Sequence, residues 1–261
     1  MISCFLNLNK YRDLLYMITW REIRIRYKQS IMGFMWAILM PILVISAGIL
    51  VRFGIARLSG KPLLLTEIVT VSIKALPWSF FISSIRLATN SLTSNSNLVT
   101  KIYFPREIFP ISAVFSQLFD FLIASCALGI ILSLGGIGLT IHVVWAPLLM
   151  LMLILLTIGL GVFLSAANLF FRDIKYLVEI FVTFAIFFTP VFYEASLAGR
   201  WEWVLLLNPV APILEGLNDC IVMHRSPDLT WILYSAAFSL GTLLVAMATF
   251  KNLEPRFAES I

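Results

Sequence analysis

Four basic residues, Arg21, Arg24, Arg26 and Lys28, alternate with apolar ones just before the first long apolar run, which begins at Phe34 beyond Gly33. Cations at this spacing attract anionic headgroups and set orientation rather than break bonds. Two further ionisable groups, Lys74 and Asp120, lie inside apolar runs. A charge there must be paired, neutral or wet. Lys74 falls in the outer half of its run, where its stem predicts snorkelling toward headgroups, with a polar contact to cargo as the alternative. Asp120 has no His or second carboxylate at helical spacing, so it predicts a group facing the bundle interior or a subunit interface rather than a proton relay.

Other reactive residue types are sparse. His142 and His224 have no metal-ligand spacing, and Cys4, Cys126 and Cys220 are too dispersed for a disulfide framework or a metal site. The chain carries no G-x-x-x-x-G-K-[ST] run and no hydrolase motif, so an enzymatic reading has little support and ATP hydrolysis is not expected of it. No cofactor or metal is expected in the chain. A bound nucleic acid is not expected either, because the basic surplus (19 Lys+Arg, 14 Asp+Glu) sits beside apolar segments.

The elements that must position these residues are helices in a bilayer. Sixty per cent of the 261 residues are hydrophobic and 13% are charged, with a mean hydropathy of +0.96. Soluble domains hold about 45–50% apolar and about 25% charged residues. Six segments approach the roughly 20 apolar residues a spanning helix needs: Phe34–Val51, Ile68–Ala88, Phe109–Leu134, Val144–Phe170, Leu177–Tyr193 and Trp231–Phe250. Thirteen of the 19 basic residues flank these on the N-terminal side, five lie on the other, and Lys74 is within a span. The bias predicts both termini in the cytoplasm. Residues 1–13 offer no apolar core or cleavage site of a signal peptide. The fold class expected is an all-α polytopic membrane protein with six transmembrane helices, an N-terminal amphipathic interface helix (1–33) and one transmembrane domain (34–261).

Residues 11–30 predict a helix with two apolar stripes, Tyr16, Trp20, Ile23 and Tyr27 against Leu14, Ile18 and Ile25. A helix lying on lipid needs one stripe, so the second predicts a protein partner, with a simple basic anchor as the alternative. The connection 90–110 joins a polar half to Leu98, Ile102, Tyr103 and Phe104, which suits a short helix docked on a partner or a loop packed under its own bundle. Pro77 predicts a kink beside Trp78. Thr157, Gly161 and Ser165 form a small-residue stripe for close helix packing. The turn at Phe171, Arg172 and Asp173 offers a second cytoplasmic contact. Between about 194 and 229 the apolar stretch 204–217 is too short to cross and is interrupted by Asn208-Pro209 and Pro212, predicting a re-entrant segment. With Thr189-Pro190, Phe187, Phe188, Phe192, Tyr193, Trp201 and Trp203 it predicts a gate at the outer mouth, the tryptophans also suiting an ordinary aromatic belt.

Taken in order, these motifs resemble the permease subunits of type 2 ATP-binding cassette exporters of lipid-linked polysaccharide, the group that exports O-antigen, capsule and teichoic acid. The resemblance rests on Arg21 to Ser30 with Gly33, Trp36 and Pro41; on Leu76-Pro77-Trp78; and on Asn97-Leu98-Val99 with Lys101 and Tyr103 to Glu107. It continues through Phe171-Arg172-Asp173, Thr189-Pro190-Val191, Asn208-Pro209 and Glu215-Gly216. Lys74 departs from it, since an apolar residue is expected there.

The resemblance implies a homodimer in a bacterial inner membrane, bound to two copies of a cytoplasmic ATP-binding subunit that carries ATP and Mg. It implies ATPase contacts at Tyr16, Trp20, Asn97, Leu98, Lys101, Tyr103, Phe104, Arg106, Arg172 and Asp173. Arg24, Arg26 and Lys28 become a headgroup entry for a glycan on a polyprenyl diphosphate. Trp36, Trp78, Phe187, Phe188, Pro190, Phe192, Tyr193, Asn208 and Pro209 become channel or gate residues. Two other classes are weaker: a secondary transporter would want coupled carboxylates or inverted repeats, and a membrane-embedded transferase an acidic metal-binding constellation.

Overall fold

The structure is a computed structural model that describes residues 11–28, 35–58, 60, 64–101, 104–134, 138 and 140–257. Among the described residues the chain is helical and contains no strand. In order the α-helices are α1 (Arg12–Lys28), α2 (Met35–Leu58), α3 (Leu65–Ser94), α4 (Ser96–Lys101), α5 (Ile108–Leu134), α6 (Trp145–Phe170), α7 (Ile174–Ala185), α8 (Glu202–Leu206), α9 (Val210–Ile221) and α10 (Leu229–Leu253). Among the described residues five segments, carried by α2, α3, α5, α6 and α10, are long and apolar enough to cross a membrane.

Helix α3 is the axis of the bundle. It is buried along most of its length and packs against α2, α5, α6, α7 and α9. Helix α6 fills the space between α3 and α10, and it does so through residues without bulk. A Cβ on Gly159 would sit 2.9 Å from the Leu243 backbone of α10, and one on Gly161 would sit 2.8 Å from Ala88 of α3. Thr157 and Ser165 are buried on the same helix and return their hydroxyls to its own carbonyls. The Thr157–Gly161–Ser165 stripe thus packs α6 closely, and Gly159, which breaks that spacing, is pressed against backbone rather than a side chain.

Polar contacts sort the loops into two ends. At one end Arg21 Nη2 donates to Asn95 Oδ1 at 2.6 Å, Asn168 Nδ2 donates to the Thr89 carbonyl at 3.0 Å, and Arg106 Nη1 donates to the Glu254 carbonyl at 2.8 Å. At the other end Thr140 Oγ1 lies 3.2 Å from His224 Nδ1, and Ser235 Oγ donates to the Pro209 carbonyl at 2.9 Å. Helix α1 lies at the first end and α9 at the second.

The fifth predicted span, Leu177–Tyr193, is shorter than expected. Helix α7 has 12 residues and stops at Ala185, a rise of about 18 Å where the hydrocarbon core is about 30 Å. The stop has a local cause: Pro190 has no N–H to continue the ladder, and Thr189 Oγ1 donates to the Ala185 carbonyl at 2.9 Å. The chain then makes 3₁₀-type turns, Phe187 N to Phe184 O and Phe188 N to Ala185 O, both 3.1 Å. In the predicted re-entrant stretch, Asn208-Pro209 does separate α8 from α9, but Pro212 does not interrupt the helix. It occupies the first turn of α9, where its missing N–H is an orphan in any case.

Candidate functional site

Helix α1 has one buried face rather than two. Leu14, Leu15 and Ile18 turn inward together with Ile23, while Tyr16, Trp20 and Ile25 are exposed. The face therefore takes members of both predicted stripes, and its axis is set by polar residues that apolar periodicity does not count. Ser112 Oγ of α5 donates to Glu22 Oε1 at 3.4 Å, and Arg26 Nη2 donates to Ser116 Oγ, also of α5, at 3.2 Å. Burial raises the Glu22 carboxyl above its ordinary range, against the opposing pull of Ser112, Arg21 and Arg26.

The three proposed headgroup residues do not converge. A two-residue step on a helix turns about 200°, so Arg24 and Lys28 share one side and Arg26 faces another. Arg24 and Lys28 are exposed, with the Arg24 guanidinium 5.8 Å from the Trp20 ring centroid. Arg26 turns onto α5 and forms an ion pair with Asp120, whose other oxygen accepts from the Tyr27 hydroxyl. Burial, then the Asp120 hydrogen bond and charge, push the Tyr27 phenol upward.

This trio borders a cavity of about 240 Å³ between α1, α2, α3 and α5. Trp36, Phe80 and Phe121 line it with Ser79, Ser83 and Gln117. Phe80 and Phe121 lean together with centroids 5.5 Å apart. The Asp120 partner was not legible as such, although a carboxylate in an apolar span announced that one must exist.

The α9 end holds a second charge constellation. Lys74 does not snorkel. Its side chain is 0% exposed, and Nζ lies 2.7 Å from Glu215 Oε2 on α9 and 3.2 Å from the Tyr193 carbonyl. The snorkelling expectation fails because α9 lies over this part of α3 and brings a carboxylate to the ammonium. Glu215 Oε1 accepts from the Ala195 N–H at 2.8 Å. Beside it Arg52 Nη2 of α2 is 3.5 Å from Glu194. Asn208 Nδ2 donates to Thr189 Oγ1 at 2.8 Å, joining the two predicted gate turns. A Cβ on Gly48 of α2 would stand 2.5 Å from the Phe192 ring and from Val71, so only glycine lets α2 approach here. Sequence reasoning missed the Lys74–Glu215 pair; opposite charges in two apolar stretches were the available signal.

The remaining expected residues are dispersed. Phe187 and Phe188 are exposed, Pro190 is buried, and Phe192 is half-buried. Tyr193 donates its hydroxyl to the Phe187 carbonyl at 3.0 Å. Trp78 is a core residue packed on Phe81, so within one chain it faces the bundle and not a channel. Phe104 is buried against Phe109 and Arg106 is bound to Glu254, so both brace the loop. Asn97 and Leu98 lie on α4, and Arg172 and Asp173 are exposed at the α6–α7 turn of the same end. Tyr103 and the side chain of Lys101 lie outside the described residues.

The family model of the ABC-2 type transporter matches residues 13–222, which include α1 from Asp13 on, the cavity and the Lys74–Glu215 pair. The chain belongs to the ABC-2 type transporter family. Among its relatives is an O-antigen export system permease of Myxococcus xanthus, 30% identical over 267 aligned positions that cover all of both chains. A permease of the same description from Klebsiella pneumoniae is 28% identical over 260 positions, covering 97% of this chain and 96% of its own. This ABC-2 transporter chain is thus a multi-pass membrane transport component, and both charge constellations lie inside the part shared with the family.

Proposed function

We propose that the chain is the permease subunit of an ATP-driven exporter that moves polyprenyl-diphosphate-linked polysaccharide from the cytoplasmic side across a bacterial inner membrane. The observation that carries this reading is the end-to-end match to permeases described as O-antigen export components. The geometry adds a mechanical argument. Helix α1 is bolted through Arg26 and Glu22 to α5, a spanning helix, so a push on α1 is delivered to the bundle and not absorbed by a loose anchor.

ATP hydrolysis then belongs to a separate subunit, two copies of which sit at the α1 end against the exposed Tyr16–Trp20 surface, α4 and the α6–α7 turn. Both chain termini lie on that cytoplasmic side. Helix α7 starts at this end, and the turns that follow reach Asn208 at the other, so α7 with residues 186–193 makes a sixth, interrupted crossing. Non-helical backbone at that depth is tolerated where protein surrounds it, and the contacts of Thr189 and Tyr193 supply such surroundings. Two copies of the chain enclose the path, with the exposed apolar sides of α2 and α7 available for pairing. The half-buried turns between Thr189 and Pro209 gate its outer mouth. Asp120, paired with a cation rather than a second carboxylate, offers no proton-coupled alternative.

Disruption of the gene in its host tests the proposal. Surface polysaccharide should disappear, lipid-linked glycan should accumulate on the cytoplasmic leaflet, and an ATPase subunit should copurify with the intact chain. Unchanged surface polysaccharide would exclude the assignment.

A further inference from the structure

The cavity at the α1–α5 junction sits where the cargo head would enter, yet it is built against anions. A phosphate site wants unpaired guanidinium, ammonium or backbone N–H groups. The cation in this wall is Arg26, and it is held by Asp120 and Ser116. Arg24 and Lys28 project to another side of α1. What faces the space instead is neutral. Ser79 and Gln117 make no side-chain hydrogen bond among the described residues, and Trp36, Phe80 and Phe121 supply apolar ring faces. Free amide and hydroxyl groups beside aromatic faces match a ring with hydroxyls on its edge and C–H groups on its face. The volume, about 240 Å³, falls below the roughly 300–1,000 Å³ of pockets that engulf a drug-sized ligand. It suits one sugar ring rather than an oligosaccharide.

We propose that this cavity binds the lipid-proximal sugar of the cargo as a neutral hydroxyl-bearing ring, and that Asp120 masks Arg26 so that the pocket does not retain diphosphate. Exposed Arg24 and Lys28 are left to meet the diphosphate outside it. The inference rests on the polysaccharide-permease reading and refines it, assigning sugar and phosphate recognition to different sides of α1. A masked cation also explains how a strongly anionic head can leave an entry site without remaining trapped.

The test is binding of two synthetic probes to the full chain with its ATPase in nanodiscs: a polyprenyl diphosphate carrying one hexose and the same lipid without sugar. A site built around hydroxyl contacts rejects an analogue lacking them, so the parent should prefer the hexose-bearing lipid by about tenfold or more. Gln117→Leu should reduce that preference to near unity while leaving affinity for the bare lipid unchanged. Asp120→Asn should raise affinity for the bare diphosphate lipid by exposing Arg26. Equal affinity of the parent for both probes, or an intact preference in Gln117→Leu, overturns the sugar assignment alone. If neither probe binds above a phosphatidylglycerol control, the exporter reading falls with it.

Discussion

Two of the ion pairs that join helices in this chain use the same chemistry in different settings. Lys74–Glu215 joins two helices of the bundle, with side chains 0% and 19% exposed, whereas Arg26–Asp120 joins α1 to α5 beside an open cavity, with side chains 28% and 16% exposed, so the difference lies in the cation. A fully enclosed charge cannot lose its partner without remaining in low dielectric, so the first pair fixes α9 and the Tyr193 turn in one place. A charge beside an open cavity keeps some access to solvent, so the second pair costs less to break. Helix α1, docked from outside the bundle, has the weaker pair, and α9, wedged inside it, has the stronger one.

Several changes should break or sharpen that contrast. Replacing Glu215 by Gln alone should cost most, about 3–5 kcal/mol for the Lys74 charge left buried, with Lys74→Met costing less because Glu215 is 19% exposed, both read as thermal unfolding of the purified chain. The double variant Lys74→Met with Glu215→Leu should recover much of the loss, and a double as unstable as the singles would show that the pair does more than cancel charge. Next in size, Gly159→Leu should cost about 1–3 kcal/mol, because its side chain meets Leu243 backbone that cannot step aside. Unfolding at the parent temperature would show that α10 can yield.

At the α1 end the stability effects shrink while the functional ones grow. Arg26→Gln should cost about 1 kcal/mol, in the range of partly solvated pairs, yet reduce export strongly by uncoupling α1 from α5. Export at the parent level would remove Arg26–Asp120 as the coupling contact. The smallest effect concerns Glu22. Burial raises its carboxyl above the ordinary range, so the folded state favours the protonated form, and docking of α1 should weaken as pH rises through that raised value. Glu22→Gln should abolish this dependence. Protease cleavage of α1 measured across the acidic range reads both, and identical pH profiles would show that Glu22 stays solvated.

Much of the site was legible in pieces. Asp120 in an apolar span demands a partner, Arg26 stands in the basic run before the first span, and Asn208-Pro209 and Thr189-Pro190 both predict turns at the outer mouth. Their joining was not legible, because Arg26 and Asp120 are 94 residues apart and Lys74 and Glu215 are 141 apart. The buried face of α1 differs from either apolar stripe for a related reason: Glu22, Arg26 and their serine partners on α5 turn it inward, and they carry no apolar signal.

The sequence by itself determined the membrane class, the places of the five long apolar helices and the break at Asn208-Pro209, since each follows from local composition: enough apolar residues to cross, or a missing N–H. Tertiary structure decided which way charged side chains point and therefore what they do. Lys74 has an apolar stem that could reach headgroups and an ammonium that could meet a carboxylate, and local sequence favours the first. Only the packing of α9 over α3 brings Glu215 within 2.7 Å, and in low dielectric a partner at that distance outweighs the pull of a distant interface.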